Sequence, residues 1–102
     1  MKVVWTASAN RRYEYIMTCA VDFYGKGTLR KLNSAIRNAE QLLVDNPRMG
    51  NREPLAKDRE AEYRYIVLSK YFKLIYILCS DCIYVVDIWD TRQAPETLQD
   101  RL

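Results

Sequence analysis

The sequence contains no histidine. That removes the side chain that most often titrates near neutrality, and with it the commonest general base and the commonest metal ligand. Any acid–base chemistry would have to run on carboxylates, tyrosines, lysines or arginines. Cysteine is scarce as well, with only Cys19, Cys79 and Cys82. A structural zinc site needs four ligands, and three cysteines without histidine argue against one. No metal and no cofactor is expected. The odd cysteine count, together with an apolar run at Met1–Trp5 too short for a secretory leader, points to a reducing cytoplasm. Long hydrophobic runs are missing too. Lys73 interrupts the most apolar stretch, so no membrane span and no membrane partner is expected. With three glycines and three prolines, each stands out as punctuation.

What is present suits one globular domain over residues 1–102. Hydrophobic residues make up 49% and charged residues 28%, too apolar for a disordered chain. The net charge of +3 permits a nucleic-acid or acidic-protein partner without demanding one.

Val3, Val4 and Trp5 predict a short first strand. Ser8 offers a helix cap, and Tyr13, Ile16, Met17, Ala20 and Tyr24 recur at helical spacing up to Gly25-Lys26-Gly27. Thr28 offers a second cap, before a stripe of Leu29, Leu32, Ala35, Ile36, Ala39, Leu42 and Leu43 that Asn46-Pro47 ends. Residues 47–60 read as a long loop. Three strands follow at roughly 62–68, 71–78 and 83–90, then a polar tail with a final helical turn. The order β-α-α-β-β-β predicts an α+β domain with a helical hairpin on a small antiparallel sheet.

Two-residue turns at Ser69-Lys70 and Ser80-Asp81 would fix the sheet faces. Tyr63, Tyr65, Val67, Phe72, Leu74, Tyr76, Leu78, Ile83, Val85 and Trp89 would then face the helices, with Asp87 among them needing a partner. Arg64, Ile66, Leu68, Tyr71, Lys73, Ile75, Ile77, Tyr84, Val86, Ile88 and Asp90 would share the opposite face. That second face is cationic and apolar at once. Either the C-terminal tail or a partner protein should cover it.

Among the motifs, Cys79-Ser80-Asp81-Cys82 has CxxC spacing, but a redox CxxC sits at a helix start and this one spans a hairpin, so packing or plain tolerance is the favoured reading. Arg11, Arg12, Arg48, Arg52, Lys57 and Arg59 read as solvated surface. The eight tyrosines suit a half-buried sheet better than base stacking. Asp90-Thr91-Arg92-Gln93-Ala94-Pro95 reads as a strand terminator closed by an Asp–Arg pair.

Four segments together resemble the RelE/ParE toxin superfamily of type II toxin–antitoxin (plasmid stabilisation) modules. Asn46-Pro47-Arg48-Met49-Gly50 is similar to a P-x-x-G loop of ParE-type members, Tyr63-Arg64-Tyr65-Ile66-Val67 to their YR strand, and Tyr71-Phe72-Lys73-Leu74-Ile75-Tyr76 to the Y-R-L-I-Y strand. Asp90-Thr91-Arg92-Gln93-Ala94-Pro95 is similar to the D-T-R-Q-x-P ending. The match runs in order over most of the chain.

The resemblance implies a bacterial growth-inhibiting toxin with a cognate antitoxin as partner. Its target would be DNA gyrase, as for ParE-like members, or mRNA on the ribosome, as for RelE-like nucleases. Arg64, Lys73 and Arg92 are the candidates for target or phosphate binding. Ile66, Leu68, Ile75 and Ile77 are the candidates for antitoxin binding. Lys73 stands where the family usually has Arg, and Ile66 where the nuclease branch has a second cation. Phosphodiester cleavage also needs a base and an acid. Only Glu53, Asp58 or Glu60 in the loop offer a base, and no catalytic residue is assigned. A ParE-like, non-enzymatic gyrase inhibitor is therefore favoured over an mRNA endoribonuclease, with a non-toxic antitoxin-binding homologue as a third class. Alanine at Arg64, Lys73 or Arg92 is expected to spare stability, on the premise that all three cations are exposed.

Overall fold

A computed structural model describes residues 1–93 and 95–102. Ala94, within the closing motif, lies outside the described residues. Strand β1 (Lys2–Trp5) leads into helix α1 (Ala7–Thr18), a single turn α2 (Val21–Tyr24) and the long helix α3 (Lys26–Asp45). Strands β2 (Asn51–Arg52), β3 (Glu62–Val67), β4 (Phe72–Leu78) and β5 (Cys82–Asp90) follow, then helix α4 (Pro95–Arg101). The five strands form one sheet in the order β1-β5-β4-β3-β2. Among the described residues, only the β1–β5 pairing is parallel. The α+β expectation holds, with β2, a 3-10 turn at Pro54–Ala56 and the extent of α4 added to it.

The helix ends follow local chemistry, with shifts of a few residues from the expected caps. Thr6, not Ser8, caps α1, its hydroxyl accepting from the Ala9 amide at 3.1 Å. The expected single first helix breaks at Cys19-Ala20 and resumes for one turn. Gly25 then turns the chain at φ +86°, a conformation that strains any residue with a Cβ. Helix α3 starts at once, so Thr28 lies in its first turn rather than capping it. Asn46 ends α3 as expected.

The core lies between the helices and one sheet face. Ile16, Leu29, Leu32, Ile36, Ala39 and Leu43 meet Phe72, Leu74, Tyr76, Ile83, Val85 and Ile88. A smaller cluster lies on the opposite face, where Leu98 of α4 covers Ile75 and Trp89, flanked by Leu55, Tyr63, Val86 and Leu102. The chain's own C-terminal helix is thus what covers the second face. Among the described residues, no helix is long and apolar enough to cross a membrane.

The register corrects the face assignment in two places. Strand β3 pairs with β4 as Val67↔Lys73 and Arg64↔Tyr76, one step from a two-residue turn at Ser69-Lys70. A one-residue step turns every side chain of a strand over. Arg64, Ile66 and Leu68 therefore lie on the helical side, and Tyr63 and Tyr65 on the other. The second hairpin starts in the expected register, Leu78↔Ile83, and then a bulge shifts it so that Ile75 pairs with Asp87. Beyond the bulge, Asp87 and Trp89 point to the α4 side, and Ile88 and Asp90 to the helical core.

Candidate functional site

The three cations expected on one face are separated by this register. Arg64 lies on the helical side and Lys73 on the α4 side. Arg64 is only 15% exposed and is held by Glu62, its Nε donating to Oε2 at 2.6 Å. Its Nη1 donates to the Gly50 carbonyl at 2.6 Å. The buried Tyr76 hydroxyl works on the same loop, accepting from the Gly50 amide at 3.1 Å and donating to the Pro47 carbonyl at 2.9 Å. A Cβ at Gly50 would lie 2.6 Å from the Tyr65 carbonyl and 2.8 Å from the Tyr76 hydroxyl, so no larger residue fits unless the loop moves. The Pro47–Gly50 loop, Arg64 and Tyr76, which carry three of the four sequence resemblances, are thus bonded to one another. Arg48 and Arg52 also lean on Glu62, at 3.2 and 3.4 Å, and the hydrogen bond from Arg64 holds that carboxyl below its usual range.

Lys73 is 14% exposed, and its Nζ lies 2.5 Å from Oε1 of Glu53, whose side chain is fully buried. The ammonium also sits 4.8 Å from the Tyr65 ring centre. Glu53 additionally accepts from the Leu55 amide at 3.1 Å and caps the 3-10 turn. Glu53, one of the three loop carboxylates offered as a base, is therefore a structural counter-ion. Asp58 and Glu60 remain on the exposed loop.

Arg92 is the most accessible of the three, at 44% exposure. It follows β5, where the expected Asp–Arg pair forms: Asp90 accepts from the Arg92 amide at 2.9 Å, from Nε at 3.1 Å and from Nη2 at 2.9 Å. The Tyr24 hydroxyl donates to the same carboxylate at 2.7 Å. Burial alone would push Asp90 up, but these bonds together hold it below its usual range. Burial and Asp90 push Tyr24 up to about 12, so it remains a proton donor at neutral pH and is no base. The guanidinium lies 4.0 Å from the Tyr71 ring centre and 5.7 Å from those of Phe23 and Tyr24.

A cleft of about 250 Å³ opens beside Asp90 between α1, α2 and the end of β5. Ile16, Ala20, Phe72 and Ile88 give it apolar walls, while Arg12, Tyr15, Phe23 and Arg101 stand around it. A second hollow shares Arg12, Tyr15 and Arg101 and adds Ser8 and Arg11. Arg101 is tied to buried Asp87 and stacks 5.0 Å from the Trp89 ring centre. Burial pushes the Asp87 carboxyl up to about 6 against the pull of Arg101 and Arg12. Arg12 reads in the sequence as solvated surface and Arg101 does not stand out at all, because nothing local shows that α1 and α4 converge on one edge of β5.

The four residues expected to bind a partner are also divided. Ile66 and Leu68 pack against the helical core, Ile75 is fully buried under α4, and Ile77 is half-buried. They form no common exposed surface. The exposed large apolar side chains are instead scattered, and include Phe23 and Tyr15 at the cleft and Val67 and Tyr84 on the sheet. Among the described residues, no group of three or more His, Cys, Asp or Glu side chains is placed to hold a metal.

No family model matches the chain, and no curated protein matches it in sequence. Solved structures do. The chromosomal ParDE toxin–antitoxin system of Pseudomonas aeruginosa superposes with a TM-score of 0.64 at 19% identity, over 88% of this chain and 95% of that one. A YoeB/ParE toxin from Agrobacterium tumefaciens gives 0.59 at 21% identity, over 88% of this chain and 98% of that one. At such identities the likeness establishes the fold, which is RelE/ParE-like.

Proposed function

We propose that this chain is the toxin of a type II toxin–antitoxin module, a cytoplasmic protein that a cognate antitoxin neutralises. We further propose that it acts in the ParE-like manner, on DNA gyrase, rather than as a nuclease. The RelE/ParE-like fold and the two toxin-system structures it resembles support the broad assignment.

The observation that carries the narrower one is the fate of the candidate cations. A nuclease must gather positive charge on one surface to stabilise a pentacovalent phosphorane, and must place a base beside it. Here Arg64, Lys73 and Arg92 each lie within 2.9 Å of a carboxylate, and Arg64 and Lys73 face opposite ways. Neutralised and dispersed charges of this kind stabilise loops better than they bind a phosphodiester. Arg92, half-exposed and seated on three aromatic rings, is the cation best placed to meet a target.

Induction of the chain in a bacterial host tests the proposal through two readouts. Gyrase-linked DNA breaks without ribosome-dependent mRNA cleavage are expected, and growth should recover when the product of the neighbouring open reading frame is co-expressed. Cleaved mRNA with intact DNA would reverse the choice of target. Unimpaired growth together with tight binding of that product would identify a non-toxic homologue. Arg92→Ala is expected to lower toxicity, and to lower the thermal midpoint as well, because it leaves the buried Asp90 carboxylate with only the Tyr24 hydroxyl and the residue-92 amide as partners; Arg92→Lys, which keeps the charge, should restore most of the midpoint.

A further inference from the structure

We infer that Cys79 and Cys82 form a dithiol modification site, which glutathione disulfide converts to an intramolecular disulfide across the tip of the β4–β5 hairpin. The two cysteines flank the Ser80-Asp81 turn directly, and the Cys79 amide donates to the Cys82 carbonyl at 3.0 Å. The register Leu78↔Ile83 continues through them, so they are opposed and their side chains leave the sheet on the same face. Cα atoms of a hydrogen-bonded antiparallel pair lie about 5.5 Å apart. That falls within the span of about 4.4–6.8 Å that a disulfide bridges, while the Cβ atoms, about 4.5–5.5 Å apart in an opposed pair, must close to roughly 3.5–4.5 Å, a movement of about 1 Å that falls on the two-residue tip of the hairpin. Neither cysteine is buried, and both thiols are free. The site lies at the opposite end of β5 from Asp90 and Arg92 and beyond the core clusters, so neither packing nor the proposed toxin surface accounts for the pair.

The surroundings are consistent with a mutual pair. Burial, then Cys82 and Asp81, push the Cys79 thiol up. The Tyr84 hydroxyl, next but one along β5, is pushed up first by its hydrogen bond with the Cys82 thiol. The exposed Tyr84 stands next but one to Cys82 and leaves an oxidant an open approach to the hairpin tip. In the reaction, one thiol loses its proton and attacks a sulfur of glutathione disulfide, and a glutathione thiolate leaves and takes up that proton. The second thiol then loses its proton and attacks the mixed disulfide at the protein sulfur, releasing the second glutathione. Two protein thiols are oxidised, and one glutathione disulfide is reduced to two glutathione molecules.

The test uses the full chain carrying Cys19→Ser, which removes the exposed third thiol. The folded protein is equilibrated in buffers of graded glutathione and glutathione disulfide, then alkylated and weighed. Loss of two hydrogens without added glutathione is expected, along with a thermal midpoint above that of the reduced form. Cys79→Ser and Cys82→Ser should each instead accumulate one glutathione adduct. The inference is overturned if the folded dithiol stays reduced in a buffer that oxidises the same chain in denaturant. A stable mixed disulfide that never closes would overturn it equally.

Discussion

Lys73 shows how far a residue's role can lie from its appearance in a strand. It stands where the sequence pattern this segment resembles has arginine, yet its ammonium is spent on a glutamate with no access to water. Removing one partner of such a pair leaves the other as an uncompensated buried charge, at a cost of about 3–5 kcal/mol. Lys73→Ala should therefore lower the urea midpoint sharply, and adding Glu53→Gln should restore part of the loss. Additive losses would mean that the two side chains are not coupled. The expectation that all three cations could be removed without cost to stability rested on their exposure, but Arg64 and Lys73 are mostly buried and Arg92 is paired with the buried Asp90. Gly50→Ala is expected to destabilise by about 1–3 kcal/mol through overpacking against Tyr76 and the Tyr65 carbonyl. In a Tyr76→Phe background, which removes the hydroxyl beside Gly50, the penalty should shrink, as a double-mutant cycle would measure.

At the scale of elements, the helices and strands were legible because periodicity, prolines and glycines are local signals. Gly25 and Asn46-Pro47 mark real ends, and the switch from helical to alternating spacing after residue 60 marks the sheet. The faces were less legible. The turn at Ser69-Lys70 is compatible with more than one loop length, and one residue of slip carried Arg64 and Lys73 to opposite sides. The bulge near Val86 left no signature in a run of β-branched and aromatic residues, though it decides where Asp87 and Trp89 point. Arg92 with Asp90 was legible because its partner lies two positions away. Glu53 with Lys73 was not, because tertiary folding alone joins them. Helix α4, foreseen as a single turn, closes the second face through Leu98. Leu98→Ala should cost about 2–4 kcal/mol in denaturant unfolding and expose Trp89 to acrylamide quenching. Unchanged quenching would mean that α4 does not cover that face in solution.

Over the whole molecule, the carboxylates pull the acid response in opposite directions. Asp90 and Glu62 titrate below their ordinary range, so the stability they supply is present above that range and fades as pH falls through it. Asp87 has the reverse sign. Its folded value near 6 lies above the roughly 4 of an unfolded aspartate, so its contribution is greatest below pH 4 and is lost as pH rises through 6. Relative to Asp87→Asn, the wild-type chain should gain about 1–3 kcal/mol between pH 7 and pH 4, read from urea midpoints at each pH. A difference that stays constant with pH would place Asp87 at an ordinary value.

The parallel pairing of β1 with β5 has a consequence in time. Lys2 finds Cys82 and Trp5 finds Val85, so the first strand to be synthesised waits for the last. While the ribosome is still making β2, β3 and β4, Val3, Val4 and Trp5 have no sheet to join, and α1 and α3 have no floor to pack on. Pairings between distant segments close slowly, because the chain between them must first be ordered. The fold is therefore completed only once β5 has been made, and until then the nascent chain presents its helical stripe to whatever chaperone or partner arrives first.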